Sequence, residues 1–333
     1  MAIHAVTGAT GMLGSHVVEA LRKRGEAVRA LVRPSADTAW LASQGVEIVH
    51  ADLDEPASLV PAVEGASTVF HCAAKVGDWG PWRLFQRAIV EATGNLLVAC
   101  QAAGVGRFLH VSSINVYGRV PLKPGQRLSE DDPLGQQLWW WDHYCRAKIE
   151  AEGLVRAYPL PWTIVRPSWI YGPRDRNSVP RAIRAIESGA ARVIGDGTNR
   201  LNIVHAADVA EGVVRAALSP VGERRAYNLS SEGVVTQREF MDAITSALKL
   251  PPITRTVPYG LAITGGFLME AMGRMLGWRE PPFLTRYAVA LIGRPTSYSI
   301  DRARTELGWS PRIHPFDGLR QVLAAMGRLQ EAA

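Results

Sequence analysis

Three side chains in this sequence could together handle a proton and a substrate oxygen. Tyr144 and Lys148 stand four residues apart in YCRAK, and Ser113 closes the apolar run RFLHVSS. On a helix, positions i and i+4 share a face, so the phenol and the ammonium would point the same way. A phenol is a poor acid–base at neutral pH, with a pKa near about 10. A neighbouring ammonium, helped by the charge of a nicotinamide ring, would favour the phenolate and lower that value. A serine hydroxyl beside them would hold the substrate oxygen. The set suits alcohol–carbonyl interconversion, in which a proton is exchanged at oxygen and a hydride at carbon. A tyrosine and a lysine at this spacing arise often by chance, so the reading needs a hydride carrier.

The stretch TGATGMLG, Thr7 to Gly14, supplies one. Gly8 permits a tight turn, Gly11 lets the backbone approach a pyrophosphate, and Gly14 lets a helix pack on a strand. Thr10, Met12 and Leu13 complete the loop, and the helix that follows offers unpaired N–H groups to phosphate. An NAD-selective site usually has an acid at the end of the second strand to accept from the ribose hydroxyls. Here ALVRPS places Arg33 there, with Ser35 two residues on. A guanidinium can grip a 2′-phosphate in bidentate fashion, so the expected cofactor is NADP(H) in preference to NAD(H). Asp52 and Leu53, after the third strand, sit where an adenine would be framed.

Alternating strand and helix patterns position these groups. AIHAVTG, AVRALV, VEIVHAD, STVFHCAA, RFLHVSS and WTIVRPS read as six strands. Helical patterns run from Met12 to Gly25, from Pro81 to Ala103, and from the tryptophans to Tyr158. Such alternation predicts a doubly wound parallel sheet covered on both faces. Ser113 then falls at the carboxyl edge of the sheet, where α/β sites form. Beyond Pro173 the pattern loosens, although NIVHAADVA and AYNLS still read as sheet edge. We therefore expect residues 1–172 to form a cofactor-binding domain to which 201–230 return, with 173–200 and 231–333 building a smaller C-terminal substrate-binding lobe.

The 333 residues are 47% apolar and 20% charged, enough for a sizeable core. The net charge of +6 comes from scattered arginines without a lysine-rich run, which argues for a solvated basic surface favouring anionic ligands and against nucleic acid. Three cysteines, Cys72, Cys100 and Cys145, form no CxxC pair, and they read as reduced thiols of a cytoplasmic protein without a metal site. The chain opens on a strand-like run, and no signal peptide fits. Residues 258–278 are long and apolar, but Glu270 and Arg274 interrupt them, so a buried or peripherally membrane-touching helix is expected there and a spanning one is not.

Taken together, TGATGMLG, HCAA, VSSINVYG, YCRAK and RPSWIYGPRD resemble the extended short-chain dehydrogenase/reductases, the NAD-dependent epimerase/dehydratase superfamily with its Rossmann fold. NRLNIVHAADVA and YSIDRARTELGW carry the resemblance over nearly the whole chain. RPSWIYG, the lipophilic stretch and LTRYAVALIGRPTSYSIDRAR are most similar to the 3β-hydroxysteroid dehydrogenase branch. That branch includes 4α-carboxysterol dehydrogenases and reductases of long-chain 2-alkyl-3-oxoalkanoates. The resemblance implies a Ser113, Tyr144 and Lys148 triad, with Lys148 also holding the ribose hydroxyls. It places Cys72, Ala73, Ala74 and Lys75, and Pro167, Ser168 and Trp169, near the nicotinamide, puts Asn115 on the substrate side, and implies a homodimer. The chain departs from its relatives at Ile89, which stands where they carry a hydrogen-bonding asparagine. Trp169 replaces an asparagine of the sugar-nucleotide members, whereas Arg200 keeps an arginine that some of them use on phosphate.

Ten tryptophans are present, and six of them cluster in three segments expected to open at the sheet's carboxyl edge. Trp79 and Trp82 follow strand four, Trp139, Trp140 and Trp141 precede the Tyr144 helix, and Trp169 follows strand six. Aromatic walls suit apolar ligands. The expected substrate residues are therefore Trp79, Trp82, Ser113, Asn115, Trp140, Trp141, Trp169 and Arg200. The expected activity is NADP(H)-dependent interconversion of a secondary alcohol and a ketone on a bulky apolar molecule, a sterol or a long-chain 2-alkyl-3-oxoalkanoate. A sugar-nucleotide epimerase or dehydratase with bound NAD is the alternative. A redox-sensing regulator would have no need of the triad.

Overall fold

The computed structural model describes residues 2–329. Six strands follow in chain order: β1 Ile3–Thr7, β2 Ala27–Val32, β3 Glu47–His50, β4 Ala66–His71, β5 Arg107–Val111 and β6 Trp162–Pro167. With Arg225–Leu229 they form one seven-stranded sheet, all parallel, in the spatial order Arg225–Leu229, β6, β5, β4, β1, β2, β3. This is the Rossmann order, and its direction reverses between β1 and β4, where Thr7 pairs with His71. A crevice opens beyond the carboxyl ends of the strands at such a reversal.

Both faces of the sheet are covered, as the apolar strand runs require. On one face the first helix, Met12–Lys23, and the helix Ala206–Leu218 enclose Val17, Leu21, Val209, Val213 and Trp309. On the other, Leu59, Val63, Leu96, Phe108 and Val155 form a second core. The helical pattern expected over Pro81 to Ala103 is one continuous rod from Trp82 to Ala102, with a π turn at Gln86–Glu91. NIVHAADVA is a sheet edge only in its first residues. Ile203–His205 pairs with Trp169–Tyr171 outside the main sheet, and Ala206 already begins a helix capped by the His205 side chain. Among the described residues no helix is long and apolar enough to cross a membrane. The helix Tyr259–Met275 packs on the helix Arg286–Gly293 and leaves Leu261, Leu268 and Met275 exposed.

A buried polar network fixes the Tyr144 helix, His143–Arg156, against the sheet. Arg166 on β6 donates from Nε and Nη2 to the two carboxylate oxygens of Glu152, at 2.9 and 2.7 Å. Its Nη1 donates to the Tyr117 hydroxyl at 2.9 Å, which in turn donates to Asn228 Oδ1 at 2.7 Å. Both ions of the pair are about 1% exposed. Removing one partner leaves a buried charge uncompensated, so Glu152→Ala should lower folding free energy by about 3–5 kcal/mol, visible as an earlier urea midpoint. A midpoint unchanged from wild type would show that the network does not hold this helix.

Candidate active site

The crevice at the sheet reversal is one continuous cavity of about 1200 Å³. Its first half is built by the glycine loop. Gly8 adopts a positive φ of 68°, and a Cβ there would lie 2.8 Å from Ala73 N. A Cβ on Gly14 would lie 2.1 Å from Gly8 O, so the helix can approach the strand only without one. Gly11 is the N-cap of the first helix, with no side-chain cap and no acid in the first turn, and that leaves the helix N-terminus open to an anion. Gly8, Thr10, Gly11, Met12, Leu13 and Gly14 all line the cavity, as do Arg33, Asp52, Leu53, Cys72, Ala73, Ala74, Lys75, Pro167 and Ser168. Ser35 does not. It is exposed, three residues past the end of β2, and its neighbours Arg33 and Ala36 face the crevice in its place. These surroundings fit a dinucleotide with its pyrophosphate at Gly11.

Ser113, Tyr144 and Lys148 all line this one cavity. Ser113 caps the short helix Ile114–Tyr117, its Oγ accepting from Asn115 N at 3.2 Å, and it hydrogen-bonds with the Tyr144 phenol. Lys148 is 2% exposed and its Nζ donates to Val111 O at 2.7 Å. Burial pushes the lysine down to about 8 and the tyrosine up to about 12. The expected lowering of Tyr144 by Lys148 is thus not produced by the protein's own groups, because desolvation of the phenolate outweighs the pull of Ser113. Ile89 sits in the π turn, packed on Phe85, Ala147 and Ala151. Polar links run beside it, since Thr93 donates to Ile89 O at 2.6 Å and hydrogen-bonds His71, which hydrogen-bonds Thr7 at 2.8 Å.

The tryptophans do not form the rim expected of them. Of that set only Trp169 lines the cavity. Trp79 is buried and donates to Trp278 O at 3.1 Å. Trp82 packs beside His143 and Phe85 on the outer side of the Tyr144 helix, and Trp140 is 82% exposed. Trp139 and Trp141 interleave with arginines: Arg119 and Arg286 flank Trp139 at 4.2 and 4.6 Å, while Arg286 and Arg274 flank Trp141, each at 4.9 Å. Large rings with one N–H found cations and carbonyl or carboxylate acceptors and are consumed in structure. Arg200 is exposed at the surface, donating to Gly233 O at 3.0 Å, and is likewise absent from the cavity lining.

The second half of the cavity is built by residues that motif reading passed over. Ile194, Met241, Val257, Leu261 and Leu291 give it apolar walls. Asp78, Arg181, Arg192 and Tyr287 are among its polar groups, and Arg174, Arg176 and Asn177 line the cavity as well. Asn115 donates from Nδ2 to the Tyr287 hydroxyl at 2.9 Å. The only available signal for Tyr287 was its place inside LTRYAVALIG, an otherwise apolar run.

With this geometry in hand, the chain can be set beside known proteins. The model of the NAD dependent epimerase/dehydratase family matches residues 4–230, and the chain belongs to that family. It is 31% identical over 328 residues to a 2-alkyl-3-oxoalkanoate reductase of Stenotrophomonas maltophilia, covering 96% of this chain and 98% of the relative. It is 29% identical over 340 residues to a decarboxylating sterol-4-alpha-carboxylate 3-dehydrogenase of Homo sapiens, covering 98% of this chain and 88% of the relative. MoeE5, solved in complex with UDP-glucose and NAD, superposes with a TM-score of 0.73 at 27% identity over 98% of each chain. The protein is an NAD(P)-dependent dehydrogenase or reductase, working with a nicotinamide dinucleotide.

Burial of Lys148 makes a stability prediction for the cofactor-free protein. Its folded pKa, about 8, lies below the ordinary lysine value of 10.5, so its burial penalty is full below pH 8 and is relieved as pH rises toward 10.5. The stability of wild type relative to Lys148→Met should therefore rise between those pH values. Urea titrations at pH 7, 9 and 10.5 measure it, and a pH-independent difference would mean that Lys148 is not desolvated.

Proposed function

We propose that the protein is an NADP(H)-preferring reductase that interconverts a ketone and a secondary alcohol on a bulky apolar molecule, a long-chain 2-alkyl-3-oxoalkanoate being favoured over a sterol. The observation that carries this reading is the continuity of the cavity: it runs from the glycine loop past Tyr144 into walls of Ile194, Met241, Val257, Leu261 and Leu291. Such walls suit alkyl chains, where each buried methylene contributes about 0.8 kcal/mol. Arg33 lines the cavity just past β2, and no acid stands at that position, which supports recognition of a 2′-phosphate. Trp169 in the lining and Arg200 outside it count against a nucleotide-sugar.

The bound dinucleotide would supply or accept the hydride. In reduction, Ser113 would hold the substrate oxygen, and Tyr144 would give that oxygen its phenolic proton as the carbon becomes tetrahedral. Lys148, 2.7 Å from Val111 O and on the same helix face as Tyr144, would contribute its charge to the tyrosine and bind ribose hydroxyls. That assistance requires the ammonium form, and burial takes Lys148 down to about 8. The cofactor's own charges are then part of what sets the working state of the pair.

Tyr144→Phe should reduce turnover of a 2-alkyl-3-oxoalkanoate by about 10²–10⁴-fold while leaving cofactor affinity near wild type. Parallel assays with a 3-ketosteroid and a nucleotide 4-keto sugar choose the substrate class, and turnover of the sugar alone would overturn the reading. Arg33→Ala should weaken NADPH binding about tenfold or more and change NADH binding little, as measured by cofactor fluorescence.

A further inference from the structure

Tyr144 is not the only phenol lining the cavity. Tyr287, the second residue of the helix Arg286–Gly293, is linked to it through the N-cap and the second residue of the short helix Ile114–Tyr117. Tyr144 hydrogen-bonds Ser113, Ser113 Oγ accepts from Asn115 N, and Asn115 Nδ2 donates to Tyr287 Oη. That bond is one the Tyr287 oxygen accepts, and among the described residues it is the only hydrogen bond its hydroxyl makes. The phenolic hydrogen is left to be donated, and Tyr287 lines the same cavity as Tyr144 and Ser113.

The placement is enforced from outside. Glu270, 5% exposed, accepts from the backbone N of Arg286 at 2.6 Å and from its Nε at 2.9 Å, and also from Trp141 Nε1 at 2.7 Å. One carboxylate thus ties the residue preceding Tyr287 to the residue three before Tyr144. Two phenols on distant parts of the chain are held in fixed relation by a single buried ion.

We propose that Tyr287 is a specificity residue, donating its hydroxyl hydrogen to a carboxylate oxygen of the substrate while Tyr144 and Ser113 engage the ketone oxygen. The inference rests on the oxoalkanoate reading above. In a 3-oxo acid one carbon separates the ketone carbon from the carboxylate carbon, so a carboxylate accompanies the ketone at short range, and Tyr287 is the donor tied to Ser113 through Asn115. Asp78 also lines the cavity, and burial raises its carboxyl from its ordinary value against the hydrogen bond from Thr285. A buried donor aimed at one substrate oxygen discriminates through the cost of leaving it unpaired.

The test runs in the oxidative direction with NADP⁺, where the substrates are stable. A 2-alkyl-3-hydroxyalkanoate is compared with the secondary alcohol of the same chain lacking the carboxylate. Tyr287→Phe should raise KM for the hydroxy acid about tenfold, with kcat within about threefold, and should leave the KM of the plain alcohol and cofactor affinity unchanged. Glu270→Gln, which keeps the hydroxyl but loosens its mounting, should lower kcat for both substrates alike. Equal losses on both substrates in Tyr287→Phe, no change in either, or the same acid-selective loss in Glu270→Gln would each overturn the assignment. Wild-type turnover of the plain alcohol without the hydroxy acid would overturn the assignment and the oxoalkanoate reading, and leave the ketone chemistry standing.

Discussion

The carboxylate of Glu270 is the point on which the site's geometry turns. It is buried between two arms of the chain that share no sheet: the turn leading into the Tyr144 helix and the start of the Tyr287 helix. A buried carboxylate is tolerated only where charge and hydrogen bonds answer it. Here the answer is Arg286, which is itself laid against Trp139, Trp141 and Phe267 at 4.6, 4.9 and 5.1 Å. Planar guanidinium groups stack on indoles and still keep their edges free for a carboxylate, which an ammonium does less well. The alternation of Arg274, Trp141, Arg286, Trp139 and Arg119 is therefore a stack of cations and rings, answered by Glu270 at Arg286 and by Asp142 at Arg119, 2.9 Å away in each case. It lies behind the cavity and supports the chemistry without meeting the substrate.

A second constraint acts on the opposite side of Tyr144. The helix carrying Tyr144 and Lys148 also carries Glu152, so each turn of that face has a charged or polar duty: phenol, ammonium, carboxylate. Glu152 anchors to Arg166 on β6, and the ammonium one turn earlier reaches the Val111 carbonyl at the end of β5. The helix is thus pinned to β5 and β6, whose last residues, Val111 and Pro167, line the cavity. Fixed in this way, Tyr144 and Lys148 need no rearrangement to present their heads to a ligand, which is how preorganised sites keep reorganisation small. The cost appears in the protonation equilibria, where burial pushes both groups toward their neutral forms.

What the sequence disclosed followed from how local each signal was. Gly8, Gly11 and Gly14 act through backbone geometry within seven residues, and each strand is a short continuous apolar run between helical patterns, so the sheet and the loop were both legible. The Tyr144 and Lys148 pairing was legible because helical spacing alone puts them on one face. The tryptophans misled because an indole's fate depends on its partners, and those were Arg119, Arg274 and Arg286, up to about 150 residues away in sequence. NIVHAADVA read as strand from its apolar residues, while its capping histidine, a cue to helix, lay inside the run. Nothing local distinguished Tyr287, whose importance comes from Asn115 lying 172 positions upstream.

The division of labour in the cavity follows from the same contrast. Residues on the strand ends and the glycine loop would meet the dinucleotide, and at Gly8 and Gly14 the close approach of Ala73 and Gly8 O leaves no room for a side chain. The apolar walls and the second phenol come from segments outside the main sheet, Val193–Ile194, Tyr259–Met275 and Arg286–Gly293, whose packing can change without disturbing strand order. A guanidinium in direct contact with the substrate carboxylate would bind any anion and would also cost more to bury. A neutral hydroxyl whose oxygen is already occupied by Asn115 offers one directed hydrogen at a smaller desolvation penalty. Selectivity built this way depends on position, and position in this protein is what the Glu270 carboxylate supplies.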